Sequence, residues 1–72
     1  MEEMNYKKQD EDAIIAFIKK NGGEVEVNDI IFKSGANKLR VYSILFEMVS
    51  RGEISITRQS ELGTPEAVKR VI

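Results

Sequence analysis

Asn28-Asp29-Ile30-Ile31-Phe32-Lys33-Ser34-Gly35-Ala36-Asn37-Lys38-Leu39-Arg40-Val41-Tyr42-Ser43-Ile44-Leu45 is the stretch whose reading decides the fold. Asn28 can cap a short helix over Asp29–Ser34, since its side chain accepts from the unpaired N–H groups of a first turn. Gly35 ends that helix. Asn37 then caps a third helix of the chain, predicted over Lys38–Arg51 and closed by Gly52.

On a wheel at about 100° per residue, Arg40, Ser43, Glu47, Ser50 and Arg51 fall in one polar arc. Val41, Ile44, Leu45, Met48 and Val49 lie across from it. Leu39, Tyr42 and Phe46 extend the apolar surface along one side, to an arc of roughly 220°, wider than a surface helix needs.

Upstream, Asp10-Glu11-Asp12 precedes an apolar stripe of Ile14, Phe17 and Ile18 at helical spacing. Acids suit the positive end of a helix dipole, Lys19 and Lys20 suit its negative end, and Asn21-Gly22-Gly23 stops it. The first helix is therefore expected over 10–20, behind a polar, flexible lead-in over 1–9. Glu24-Val25-Glu26-Val27 alternates as a very short strand.

Downstream, Glu53-Ile54-Ser55-Ile56-Thr57-Arg58 alternates with β-branched residues and reads as a strand. The loop Gln59–Glu66 follows. Residues 67–72 read two ways. Thr64-Pro65-Glu66 resembles a helix start. A returning strand is favoured, because one strand after the third helix needs a partner.

The chain has 72 residues, 42% of them apolar, which makes one domain near the lower size limit for an independent core. Such a core yields only ~3–5 kcal/mol of net stability, and self-association into a homodimer would add support. With no cysteine and no histidine there is no thiol nucleophile, no thiolate or imidazole metal site, and no side chain poised near neutral pH. No catalysis, cofactor or metal is expected, because no spacing assembles a carboxylate-based site. No apolar run reaches the ~18 residues of a membrane span, and Met1–Asp12 lacks a signal-peptide core; the expectation is a cytoplasmic chain with no membrane partner. The net charge is −1, yet Lys33–Arg58 holds Lys33, Lys38, Arg40, Arg51 and Arg58 against Glu47 and Glu53 alone. A modest local basic face is possible there.

The turn register resembles that of the winged-helix superfamily of helix-turn-helix DNA-binding domains. The family's turn glycine, polar cap and two core apolar positions are matched by Gly35, Asn37, Val41 and Leu45. Ile30 and Ile31 match the core positions before the glycine. Met48, Gly52 and Ile54 match the exit into the wing. Ile31 and Ala36 depart in size from the usual residues, and Leu39, Tyr42 and Phe46 add apolar bulk near the face that meets DNA in the family. The resemblance implies a mainly α fold with a small β-hairpin (α+β): a three-helix helix-turn-helix core followed by a C-terminal wing, over residues 10–72. It implies a small transcriptional regulator that binds double-stranded DNA, as a dimer on two half-sites. Lys38, Arg40, Ser43 and Glu47 of the third helix (38–51) would face the major groove, and Arg58, Lys69 and Arg70 of the wing (53–72) would meet the backbone.

Each site has a plainer reading. The polar arc is also what a solvated helix face looks like, and charged edge strands avoid aggregation. Leu39, Tyr42 and Phe46 fit a core stripe, a base contact, or an interface for a protein partner or a second copy; the last would make the chain a protein-interaction module. Asp10-Glu11-Asp12 reads as dipole complementarity rather than a Mg²⁺ site, since adjacent helical residues do not converge. Gly22-Gly23 lacks the lysine-serine signature of a phosphate loop.

Overall fold

Tyr6–Lys20 forms α1 in the computed structural model, which describes residues 6–71. The helix starts earlier than the expected 10–20, because Tyr6-Lys7-Lys8-Gln9 holds no Gly or Pro to stop it growing backwards. Residues 6–9 of the expected lead-in are thus helical, and residues 1–5 lie outside the described residues. The early start also corrects the dipole reading of Asp10-Glu11-Asp12. These acids stand beyond the first turn, where the dipole effect has faded. At its other end α1 stops where expected: the Gly23 N–H donates to the Ile18 carbonyl at 2.9 Å, and the Asn21 side-chain amide to the Phe17 carbonyl at 2.8 Å.

β1, Glu24–Glu26, runs directly into α2, Val27–Lys33. The expected Asn28 cap is therefore corrected. Pairing with the sheet holds Glu26 extended, at φ −77° and ψ 139°, so helix can begin at the next residue; Glu26 stands at the cap position with no side-chain cap bond. Ser34 closes α2: its hydroxyl donates to the Ile30 carbonyl at 2.6 Å and accepts from the Ala36 N–H at 3.1 Å. Gly35 then turns the chain at φ +88°, in the left-handed region that costs other residues ~1–2 kcal/mol.

Asn37 caps as expected, its Oδ1 accepting from the Leu39 N–H at 2.9 Å. The predicted helix over 38–51 is in fact two pieces, a 3-10 turn at Lys38–Arg40 feeding α3 at Val41–Ser50. α3 ends in a Schellman motif: Gly52, at φ +76°, donates to the Val49 carbonyl, and Glu53 donates to that of Met48, both at 3.0 Å.

β2, Ile54–Gln59, and β3, Pro65–Arg70, form a hairpin, which resolves the strand-or-helix alternative in favour of strand as far as Arg70; Ile72 lies outside the described residues. Pro65 is tolerated because it opens the strand. β3 is central, with antiparallel order β1-β3-β2, so Val68 pairs with both Val25 and Ile56. The register skips Thr57 on β2 and Glu66 on β3, a pair of irregularities that twist the hairpin toward its tip.

The architecture is α+β, three α-helices with one three-stranded antiparallel sheet. One apolar core joins Ile14 and Ile18 of α1, Ile30 of α2, Val41, Ile44, Leu45 and Met48 of α3, and Val25, Ile54 and Val68 of the sheet. Each of the larger side chains contributes ~1.5–3 kcal/mol when fully buried. Phe17, Ile31 and Val49 pack against this core only in part, and Ala36 is buried. Among the described residues no polar or charged side chain is buried, and no helix is long and apolar enough to cross a membrane.

Candidate functional site

α3 presents its two flanks and its outer face very differently. The core takes Val41, Ile44, Leu45 and Met48. Arg40, Glu47 and Arg51, on one flank of that set, are drawn against α1. Asp10 Oδ2 meets the Arg40 guanidinium at 2.7 Å, Lys7 Nζ meets Glu47 at 2.6 Å, and Glu11 meets Arg51 at 2.6 Å. Arg51 also holds Glu53 at 2.7 Å. Asp10 additionally accepts from the Asn37 N–H at 3.2 Å, so one α1 carboxylate secures both the turn and the start of α3. Three of the five residues in the predicted polar arc therefore serve as ties between helices; Ser43 and Ser50 remain exposed.

The acids of α1 diverge to make these ties. Asp10 goes to Arg40, Glu11 to Arg51, and Asp12 to Lys8 at 3.6 Å. Among the described residues no group of three potential ligands gathers around a metal position.

The other flank of α3 faces the hairpin. Tyr42 lines a groove with Phe46, Leu62, Gly63, Thr64 and Pro65, a shallow space of about 470 Å³. The hairpin tip is fixed by Ser60: its N–H donates to the Thr64 carbonyl at 2.9 Å, its carbonyl accepts from Gly63 at 3.0 Å, and its hydroxyl accepts from the Thr64 N–H at 3.1 Å. Leu62 stands out from this tip, 95% exposed. Leu39, on the 3-10 turn, is 94% exposed, and on α3 Phe46 is 50% and Tyr42 36% exposed. The core reading of this stripe is thus overturned: the hairpin only borders Tyr42 and Phe46 across the groove, and none of the three is buried. Opposite the core, the helix shows an apolar stripe with two serines beside it.

The remaining expected contacts are dispersed. Arg58 lies between Glu26 of β1 and Glu66 of β3, bonded to both. Their hydrogen bonds and charges hold its guanidinium pKa above the ordinary value, and Glu11 does the same for Arg51. Both cations stay charged at any working pH. Lys38 sits over the Phe32 ring at 4.9 Å, outside the polar arc's flank. Lys69 and Arg70 are exposed at the far end of β3, where Lys69 pairs in register with Glu24 and the Arg70 N–H bonds Gly23, away from the hairpin tip. Arg40 is held by Asp10 of α1, whereas Arg58 is held by Glu26 and Glu66 of the sheet.

Sequence reasoning did not single out Leu62 or Phe32, the latter 69% exposed on α2. A signal existed for Leu62, the lone large apolar residue in the polar loop Gln59–Glu66. Nothing local marked Lys7, Asp10 and Glu11 as partners of α3. Compared with known proteins, the chain matches no family model, no curated protein and no solved structure.

Proposed function

We propose that this chain is a helix-turn-helix module of the winged-helix type that works by docking a protein partner, without catalysis, on the outer face of α3 and the hairpin tip. The observation that carries the reading is the exposed Leu39–Tyr42–Phe46 stripe with Leu62 beside it, standing where a DNA reader needs polar and basic groups. The charge arrangement supports it. Arg40, Arg51 and Arg58 each answer to carboxylates of the same chain, so contact with phosphate would first require breaking those pairs. Catalysis finds no support in a sequence without His or Cys.

The test is Phe46→Glu. Phe46 is half exposed, so the variant keeps its fold, which circular dichroism checks. Used as bait in cell lysate beside the parent chain, it loses the protein the parent retains. Titration of a labelled random-sequence duplex at low salt gives no saturable binding. A tight, steeply salt-dependent signal on the duplex would refute the reading.

A second reading, a DNA-binding transcriptional regulator, is favoured by the Gly35–Asn37 turn register and by the exposed Lys38 on the 3-10 turn and Ser43 in the first turn of α3. It requires Arg40 to exchange Asp10 for a base or phosphate.

A further inference from the structure

We infer that the occupant of the α3 face is a second copy of this chain, joined as a two-fold pair with the two α3 helices antiparallel. The inference rests on reading that face as a protein-docking surface, and it names the partner.

Leu39, on the 3-10 turn that leads into α3, and Tyr42 and Phe46 of α3 are spaced three and then four residues apart, the interval at which side chains form a seam between two helices. A two-fold axis near the Tyr42–Ser43 step lays Leu39 of one copy against Phe46 of the other, and the same contact is made again by symmetry. Leu39, Tyr42, Phe46 and Leu62 together expose on the order of 500 Å² of apolar side chain, at ~200 Å² for a large side chain. Two copies would then cover about 1,000 Å², the lower bound for a specific interface and appropriate to a reversible dimer.

The rim charges fit the same occupant. Arg40 and Glu47 lie on one flank of α3, on either side of Ser43. The two-fold axis exchanges their positions, so the Arg40 end of each copy lies beside the Glu47 end of its partner and opposite charges meet. Both residues are also paired within their own chain, to Asp10 and Lys7. The rim therefore has little field with which to select a strongly charged partner, and little like-charge repulsion against itself.

Sedimentation velocity on the whole chain across micromolar to near-millimolar concentration reads the association directly. The parent chain shifts from monomer to dimer, and Phe46→Glu and Leu39→Glu each weaken the dimer by at least ~30-fold while keeping the parent circular dichroism spectrum. The chain holds no cysteine, so a single introduced one maps the axis. Ser43→Cys gives a disulfide-linked dimer on mild oxidation. Ser50→Cys does not, because at ~1.5 Å per residue its two copies lie ~20 Å apart along the helices, far beyond the ~7 Å reach of a disulfide. A parent chain that stays monomeric throughout overturns the inference, as does a dimer that survives Phe46→Glu or cross-links equally well through Ser50→Cys. A monomeric parent whose captured protein is still lost on Phe46→Glu removes the second copy as occupant and leaves the docking reading standing.

Discussion

Asp10→Ala tests what sets the orientation of α3. The Asp10 side chain is only 14% exposed, and its two oxygens serve two elements: one accepts the Asn37 N–H at 3.2 Å, the other meets Arg40 at 2.7 Å. A hydrogen bond to a charged group contributes ~1.5–3 kcal/mol when well shielded. Shielding here is partial. The Asn37 bond is long and the Arg40 side chain is 40% exposed, so water replaces part of what is lost. The expected cost is ~1–2 kcal/mol, a large share of the ~3–5 kcal/mol available to a domain this small. At ~4–8 °C per kcal/mol, Tm falls by ~5–15 °C. Asp10→Asn keeps an acceptor without the charge and costs about half as much. Urea unfolding followed by circular dichroism gives each value. A double-mutant cycle with Arg40→Met isolates the pair, with an expected coupling of ~0.5–1 kcal/mol. An Asp10→Ala variant within ~0.5 kcal/mol of the parent, or effects that simply add, would refute the reasoning and leave the core alone to orient α3.

Leu45→Ala removes a fully buried side chain at the centre of α3 and costs ~2–5 kcal/mol, enough to abolish the cooperative urea transition. Gly35→Ala meets no atom within 4 Å, so its cost of ~1–2 kcal/mol is backbone strain at φ +88°; a change below ~0.5 kcal/mol in the same assay would contradict that account. Stability should be flat between about pH 6 and 9 in thermal melts. There is no histidine or cysteine, and a raised guanidinium pKa, as at Arg51 and Arg58, adds stability that is fully present across this interval and lost only as pH rises through the folded-state value, far above it. A Tm that moved by more than about 5 °C over that interval would point to a coupled group not identified among these side chains.

The parts of the fold set by neighbours in sequence were legible in the residues. Gly35 and Asn37 announced the turn because their constraints are local: one needs a positive φ, the other reaches an N–H two residues on. The alternation of Ile54, Ile56 and Arg58 gave β2, and the need of a strand for a partner gave β3. The start of α1 and the cap of α2 depart from the sequence expectation for opposite reasons. Nothing in Tyr6-Lys7-Lys8-Gln9 forbids helix, so propensity alone could not place the boundary. Asn28 had the right chemistry, but β1 pairing fixed the preceding backbone and made Glu26 the entry residue, a consequence of contact with β3 that is remote in sequence.

The candidate site shows the same limit more sharply. A helical wheel orders residues by angle, but it does not say which angle meets another helix. For α3 the usual assumption, polar side outward, fails because Lys7, Asp10 and Glu11 of α1 supply the opposite charges that make Arg40, Glu47 and Arg51 an inter-helix flank. Once that flank is taken, the core can hold only the quarter of the wheel around Val41, Ile44, Leu45 and Met48. The apolar arc is wider than this, and its excess has to emerge on the far side as Leu39, Tyr42 and Phe46. The acidic stretch of α1 and the excess apolar width of α3 are thus one feature seen from two places. Carboxylates that pair with Arg40 and Arg51 at the two ends of α3 also leave its hydrophobic edge at the surface, the exposure on which the proposed docking face rests.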